Sequence, residues 1–407
     1  MDEGLVNIYF IKMEERKPNL VFLHQDALLT GSAISLRNTI KAIKHFTTSI
    51  HIVTPSIGPA IKIWQEVGAK TSVFPFTTFW TSPGPKFFSR GEIKQLKGLL
   101  PNKKLKKYIL SLNPDIIHIN DKAAIQAGIS LRNSGIPIVQ HSRSAYHLTE
   151  CKLNAWLSST FIMQYASHII CISEDEIQGF ESFKSKSVIY NTVDIEEAES
   201  ANFKRKKTRD TLGINDDEIV IGMAENFSVN KGLLDIIEIA QKVIEKNKMK
   251  KIKFLLVGNM TETIKIGKSH IKSQVFVDNF IHKNNLNKYF IITGFKENVL
   301  DYIASMDIII VTKAHGVLGR QPLEAQSVGT VVLARDGHSG NSQIIVNNIG
   351  GYKTKNTNEI IDFLDFLLNN NKNINELKKR GKAYAKLNFN LKKYGTKINK
   401  IYQNLLK

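Results

Sequence analysis

In this 407-residue chain the residue types best suited to chemistry are concentrated in VTKAHGVLGRQPLEAQSVGTVVLA, residues 311–334. The stretch reads as a strand end, a loop punctuated by Gly316 and Gly319, a short helix starting near Arg320, and a second apolar strand. Glycine lets backbone approach a ligand, and the first turn of a helix presents N–H groups with no intrahelical acceptor. With a cation beside them, such groups form a site for a phosphate or diphosphate. Glu324, one turn inside the helix, is placed to accept hydrogen bonds from sugar hydroxyls. An ordinary strand–helix connection with a surface glutamate would read the same way, so other elements have to decide.

A second such place is MAENFSVNKGLLDIIEIA, 223–240, where Lys231-Gly232 opens a long helix just after a strand and loop. An ammonium there reinforces the anion preference of the helix start. In HQDALLTGSAISLRNTIKAIK, 24–44, Gly31 allows close backbone approach between a strand and a helix, and Ser32 is the expected N-cap. His141 and Arg143 follow a strand end in IPIVQHSRS. A histidine there can donate to a substrate hydroxyl and an arginine can grip a phosphate or carboxylate, although either can equally be a structural polar group. His118, His168 and Cys171 lie within apolar runs and read as core.

The elements that must position these residues follow a repeating rhythm. Apolar runs at 19–24, 51–55, 71–76, 115–120, 136–141, 168–173 and 187–191 alternate with helical patterns. Short apolar strands alternating with amphipathic helices predict βαβ units and a parallel sheet buried on both faces. The rhythm pauses in the polar, charged TVDIEEAESANFKRKKTRD, 192–210, and restarts at 218–224, 251–258, 289–295, 306–312 and 330–334. The fold class expected is α/β, with two doubly wound, Rossmann-like domains facing a central cleft. The divisions are 1–195, 196–389 and a basic amphipathic helix over 390–407 that packs back across the first domain. Ligands of such sheets sit outside the carboxyl ends of the strands.

Composition limits the partners. Hydrophobic content of 42% and charged content of 23% are those of a globular protein, but a formal net charge of +19 calls for an anionic partner. Nucleic acid is disfavoured, because the basic residues are spread over several helices and no single-strand or zinc-finger motif occurs. Two cysteines, Cys151 and Cys171, argue against a disulfide framework and fit a reducing cytoplasm. No cysteine–histidine cluster suggests a metal site, and no apolar run is long enough to span a bilayer. Phe74, Phe76, Phe79, Trp80, Phe87 and Phe88 crowd a loop that precedes Lys94, Lys97, Lys103, Lys104, Lys106 and Lys107. Rings beside a cationic amphipathic helix predict contact with an anionic headgroup interface, hence a peripheral place on the cytoplasmic membrane; a loop over the core followed by a solvated basic helix is the alternative reading.

Taken together, the motifs resemble the retaining glycosyltransferases of family 4, which have the GT-B architecture. The resemblance is carried by FLLVG, NKYFIITGFKENVLDYIASMDIIIVT, GRQPLEAQSVGTVVLA and IGGY in the second half. PDIIHIN, IPIVQHSRS, CISEDEIQGF and VIYNTVD carry it in the first. It implies an enzyme that moves a sugar from a nucleotide diphosphate to a glycan or lipid-linked acceptor, with retention, without a cofactor or bound metal, in surface polysaccharide biosynthesis. By the same resemblance Lys231 neutralises the donor diphosphate, Glu324 binds the ribose, and the backbone at Gly319 and Arg320 caps the distal phosphate. Gly294 and Phe295 lie near the base, Gly31 faces donor and acceptor, His141 reaches the reacting sugar and Arg143 meets the acceptor. The leaving diphosphate gains charge in the transition state, which preorganised cations and N–H dipoles stabilise.

Three positions depart from the family pattern. Gly316 stands where the first of two spaced glutamates is usual, Asn226 where an arginine is common before the lysine, and Gln343 where a glutamate often occurs. Glu225, His315 and Arg320 are the neighbours able to compensate. The departures also motivate a second expectation, a catalytically silent subunit of the same fold.

Overall fold

The computed structural model describes residues 16–79, 96–143, 152–266, 269–312, 318–336 and 340–407. Two seven-stranded sheets organise it. The first contains β1 (Asn19–His24), β2 (Ser49–Thr54), β3 (Lys70–Val73), β4 (Ile116–Asn120), β5 (Ile138–Ser142), β6 (His168–Cys171) and β7 (Lys186–Val188). Their order is β3-β2-β1-β4-β5-β6-β7, and every neighbouring pair is parallel. The second begins with β8 (Ile219–Ala224) and β9 (Ile252–Val257). After a small β10 (Thr263–Ile266) and β11 (Ser269–Lys272) hairpin come β12 (Phe290–Ile292), β13 (Ile308–Val311), β14 (Val331–Arg335), β15 (Val346–Asn347) and β16 (Gly350–Thr354). Its order, β12-β9-β8-β13-β14-β16-β15, changes direction beside its first strand just as the first sheet does.

Burial follows the two-residue period of a strand. Leu20 and Phe22 enter one apolar cluster while Val21 and Leu23 enter another on the opposite face. Ile308 and Ile310 against Ile309 and Val311 repeat this in the second sheet. Helices therefore cover both faces, which is why these strands are continuous apolar runs in the sequence.

The chain passes between the sheets near Thr192–Val193 and returns near Phe389, whose carbonyl accepts from Val193 N at 2.9 Å and Thr192 Oγ1 at 2.6 Å. The helix Leu391–Leu405 then lies on the helix Gly31–Ile43. Tyr394, Ile398 and Tyr402 complete the first sheet's core. Gly395 makes the approach possible, since a Cβ there would lie 2.1 Å from Ala42 O.

Several local expectations change. Thr30, not Ser32, caps the helix Gly31–Ile43, accepting from Ala33 N at 3.4 Å, while Ser32 Oγ accepts from Gln25 at 2.9 Å. Phe76 and Phe79 are buried in the first core and Phe74 stacks on Tyr108 with centroids 4.6 Å apart, so these rings are not offered to a membrane. The helix Lys103–Ser111 likewise buries its apolar face through Leu105 and Ile109, leaving Lys103, Lys104 and Lys107 outward. Trp80, Phe87, Phe88 and Lys94 lie outside the described residues.

Candidate active site

A cleft of about 370 Å³ opens between the two sheets. One wall carries Leu29, Ile34 and Arg37, the other Glu225, Asn226 and Phe295. A hollow of about 290 Å³ shares Arg37 and Asn298 with it and extends to Arg320 and Glu324. The loop after β8 reaches the cleft through Glu225 and Asn226, and the loop after β13 reaches the hollow through Arg320.

The Lys231-Gly232 turn explains its own residue types. Gly232 has φ +86°, and a Cβ there would lie 1.6 Å from Thr312 Oγ1 at the end of β13. Only glycine lets the start of helix Leu233–Lys246 pack against the loop that leads to Gly319. Lys231 Nζ lies 2.6 Å from Glu225 Oε1, so the expected diphosphate cation is joined to a carboxylate that lines the cleft.

Around the second loop, Arg320 and Glu324 form an ion pair one helical turn apart. Burial draws the Arg320 guanidinium below its usual pKa and Glu324 opposes this. Arg37 and Arg143, from the first sheet's side, press the same way as burial. A Cβ on Gly31 would lie 3.9 Å from the Arg320 side chain, so Gly31 faces Arg320 directly across the cleft. The Gly319 amide donates to Asn341 Oδ1 at 2.7 Å, and a phosphate at that amide has to share or displace this carboxamide. Gly294 turns with φ +66°, and Phe295 beyond it is 49% exposed, its ring open to the cleft. Gly316 and His315 lie outside the described residues.

In the first sheet His141 is fully buried at the end of β5. Its Nδ1 is 3.2 Å from His118 Nε2, and its Nε2 has no hydrogen-bond partner among the described residues. Burial, then Arg143, holds both imidazoles well below their usual pKa and so favours the neutral ring in each. Arg143 is a brace. It donates to Asn120 Oδ1 at 2.7 Å, Asn191 Oδ1 at 2.8 Å and Thr39 Oγ1 at 3.3 Å, and is 6% exposed. Buried polar atoms without partners among the described residues gather around this region, among them Asn120 Nδ2, Ser142 Oγ and His24 Nε2.

Sequence reasoning did not single out Arg37, Asn341 or the Tyr402 hydroxyl behind His118. Nothing in their local pattern separates them from other basic, amide or aromatic residues. Gln343 does find a role in geometry, accepting from Glu174 N at 2.9 Å and donating to Asp175 at 3.0 Å, and so ties the two halves together.

Two doubly wound sheets whose facing loops share a cleft define the GT-B class of glycosyltransferase. A family model described as "Glycosyl transferases group 1" matches residues 204–385, and one described as "Glycosyltransferase Family 4" matches residues 29–197. The chain is thus similar to group 1 glycosyltransferases over its second half and to family 4 glycosyltransferases over its first. It is 25% identical over 330 residues to a UDP-Gal:alpha-D-GlcNAc-diphosphoundecaprenol alpha-1,3-galactosyltransferase of Escherichia coli, covering 77% of this chain and 81% of that one. The fold is similar to that of Anabaena Alr3699/HepE solved with UDP-glucose, with a TM-score of 0.74 and 18% identity over 95% of this chain and 100% of that one. A glycosyltransferase from Rickettsia africae has a TM-score of 0.73 at 17% identity, over 96% and 99% of the two chains.

Proposed function

We propose that this glycosyltransferase moves a hexose from a uridine-diphosphate sugar to a lipid-linked glycan, with retention and without a metal ion, at the inner face of the cytoplasmic membrane. The observation that carries the reading is an interdomain cleft lined by the open ring of Phe295 and by Glu225, the partner of Lys231, beside a hollow lined by Arg320 and Glu324. Phe295 offers a stacking face for a base, Glu324 accepts from the ribose hydroxyls, and the two cations answer the diphosphate charge that grows as the glycosidic bond breaks. The named activity of the Escherichia coli relative supports a lipid-diphosphate acceptor, and the Anabaena complexes support a uridine nucleotide. The family 4 match over the first half supports retention.

A diphosphate that takes Lys231 competes with Glu225 for the ammonium. Glu225 lines the cleft and, once released, is the carboxylate able to make the sugar contact that a glycine at position 316 lacks. Membrane contact runs through charge, since the apolar face of helix Lys103–Ser111 is already buried and no described helix is long and apolar enough to cross a bilayer.

A thermal-shift panel of UDP, GDP, CMP and the UDP-hexoses tests the reading, because a ligand bound only by the folded chain raises its stability by mass action. A rise with UDP and a UDP-hexose, retained in EDTA, is expected. No rise with any nucleotide would overturn it and favour the silent subunit.

A further inference from the structure

The C-terminal helix enters the first sheet's core at one polar point. Tyr402 places its hydroxyl 2.7 Å from His118 Nδ1, and His118 Nε2 lies 3.2 Å from His141 Nδ1. All three residues are 0% exposed. Phe22 stacks on His118 with centroids 4.5 Å apart and fixes the plane of the middle ring. The far end of the series, His141 Nε2, is buried and unpartnered among the described residues.

We propose that Tyr402 and His118 are positioning residues that hold His141 in its Nε2–H tautomer, so that it presents a hydrogen-bond donor to the transferred sugar. The proposal rests on the reading, given by the family resemblance, that His141 reaches that sugar; here His141 is fully buried and lines neither the cleft nor the adjoining hollow.

The direction of the relay follows from counting donors and acceptors. A neutral imidazole has one N–H and one bare nitrogen, so fixing any member fixes the others. In one arrangement the Tyr402 hydroxyl donates to His118 Nδ1, His118 Nε2–H donates to His141 Nδ1, and the proton of His141 sits on Nε2. In the reverse arrangement His141 Nδ1–H donates inward and Nε2 is bare. Two observations select the first. Arg143 Nη2 lies 3.4 Å from His141 Nδ1, and a guanidinium can only donate, so its positive N–H edge favours a bare Nδ1 over an Nδ1–H pointing at it. The hydroxyl hydrogen of Tyr402 has His118 as its acceptor among the described residues, and the reverse arrangement would bury it without one. With Nε2 protonated on a neutral ring, His141 donates at that atom and does not take a proton there. A donor already oriented when charge develops needs no reorganisation during the reaction.

Long-range 1H–15N spectra of the full chain test this directly. The expected result is His141 protonated at Nε2 and bare at Nδ1; a protonated Nδ1 would overturn the proposal. Tyr402→Phe removes the hydroxyl with little change of shape. It should move the His141 nitrogen resonances toward a tautomer mixture and lower kcat about fivefold, the scale of one buried hydrogen bond, with donor KM little changed. In a His141→Ala background the same substitution should add nothing to the loss in kcat. An effect that persists there at full size would make Tyr402 merely structural, and an unchanged His141 spectrum with unchanged kcat in Tyr402→Phe would equally overturn the relay. If His141→Ala alone leaves kcat intact, the sugar-facing reading fails and the proposal with it, an outcome distinct from failure of the tautomer assignment.

Discussion

Lys231 and Glu225 form an ion pair at the edge of the cleft, and the proposed donor diphosphate has to compete with Glu225 for the ammonium. Both side chains are about one-third exposed, at 34% and 30%, so water weakens their attraction and a diphosphate can compete for the ammonium. Lys231→Ala should lower kcat/KM by about 10²-fold, the scale of removing one preorganised group from a developing oxyanion. Steady-state kinetics with saturating acceptor would show it. Glu225→Gln leaves Lys231 without its internal partner, so UDP should bind several-fold more tightly by calorimetry while sugar transfer falls. Tighter binding with unchanged turnover would show that Glu225 restrains the lysine without touching the sugar. Lys231, Arg320 and Glu324 were legible in the sequence because glycines and a helix start mark their loops. The Glu225 pairing was not, since its distance depends on how the strand end meets the helix. Arg143 shows the limit from the other side: its place after a strand suggested a ligand, yet Asn120, Asn191 and Thr39 occupy its guanidinium.

Asp307 shows how elements are pinned in the second half. At the mouth of β13 its carboxylate meets Arg205 at 2.7 Å, Arg209 at 3.3 Å and Lys378, and accepts from Val220 N at 2.8 Å. Burial alone would raise its pKa, but Lys378 and Arg205 outweigh burial and hold it below the usual carboxylate range. A depressed folded pKa means the stabilisation is fully present above the unfolded value near 4 and is lost as pH falls through the folded value. Asp307→Asn should destabilise the chain by about 3–5 kcal/mol, because it leaves three buried or half-buried cations without their anion. Urea titration at neutral pH would show the loss, and the gap between variant and parent should narrow as the pH is taken below about 4. The strands themselves were the most legible elements, since burial on both faces writes them as unbroken apolar runs. The β10–β11 hairpin and the β15–β16 edge escaped notice: Lys265, His270, Gly350 and Gly351 break the apolar signal that marks a strand.

Across the whole molecule the C-terminal helix returns to the first sheet, so the last residues of the chain finish the core in which His141 sits. Tyr402 and His118 are 284 positions apart, a contact that no local pattern can announce. The aromatic loop near position 76 was misleading for a related reason. Composition says that rings and lysines are neighbours but not which way each faces, and here Phe76 and Phe79 turn inward. What remains outward is charge, so vesicles containing anionic lipid should capture the protein at low ionic strength. Sedimentation should show release as salt shortens the Debye length to about 3 Å near 1 M. Binding that survives such salt would mean an apolar insertion through residues other than those described. The central claim, a retaining transfer from a nucleotide sugar at the Lys231 cleft, is tested most directly by the anomeric configuration of the product. NMR of the glycan formed from a UDP-α-hexose and a lipid-diphosphate acceptor should show an α linkage, absent with Lys231→Ala; a β linkage, or equal product from the variant, would contradict it.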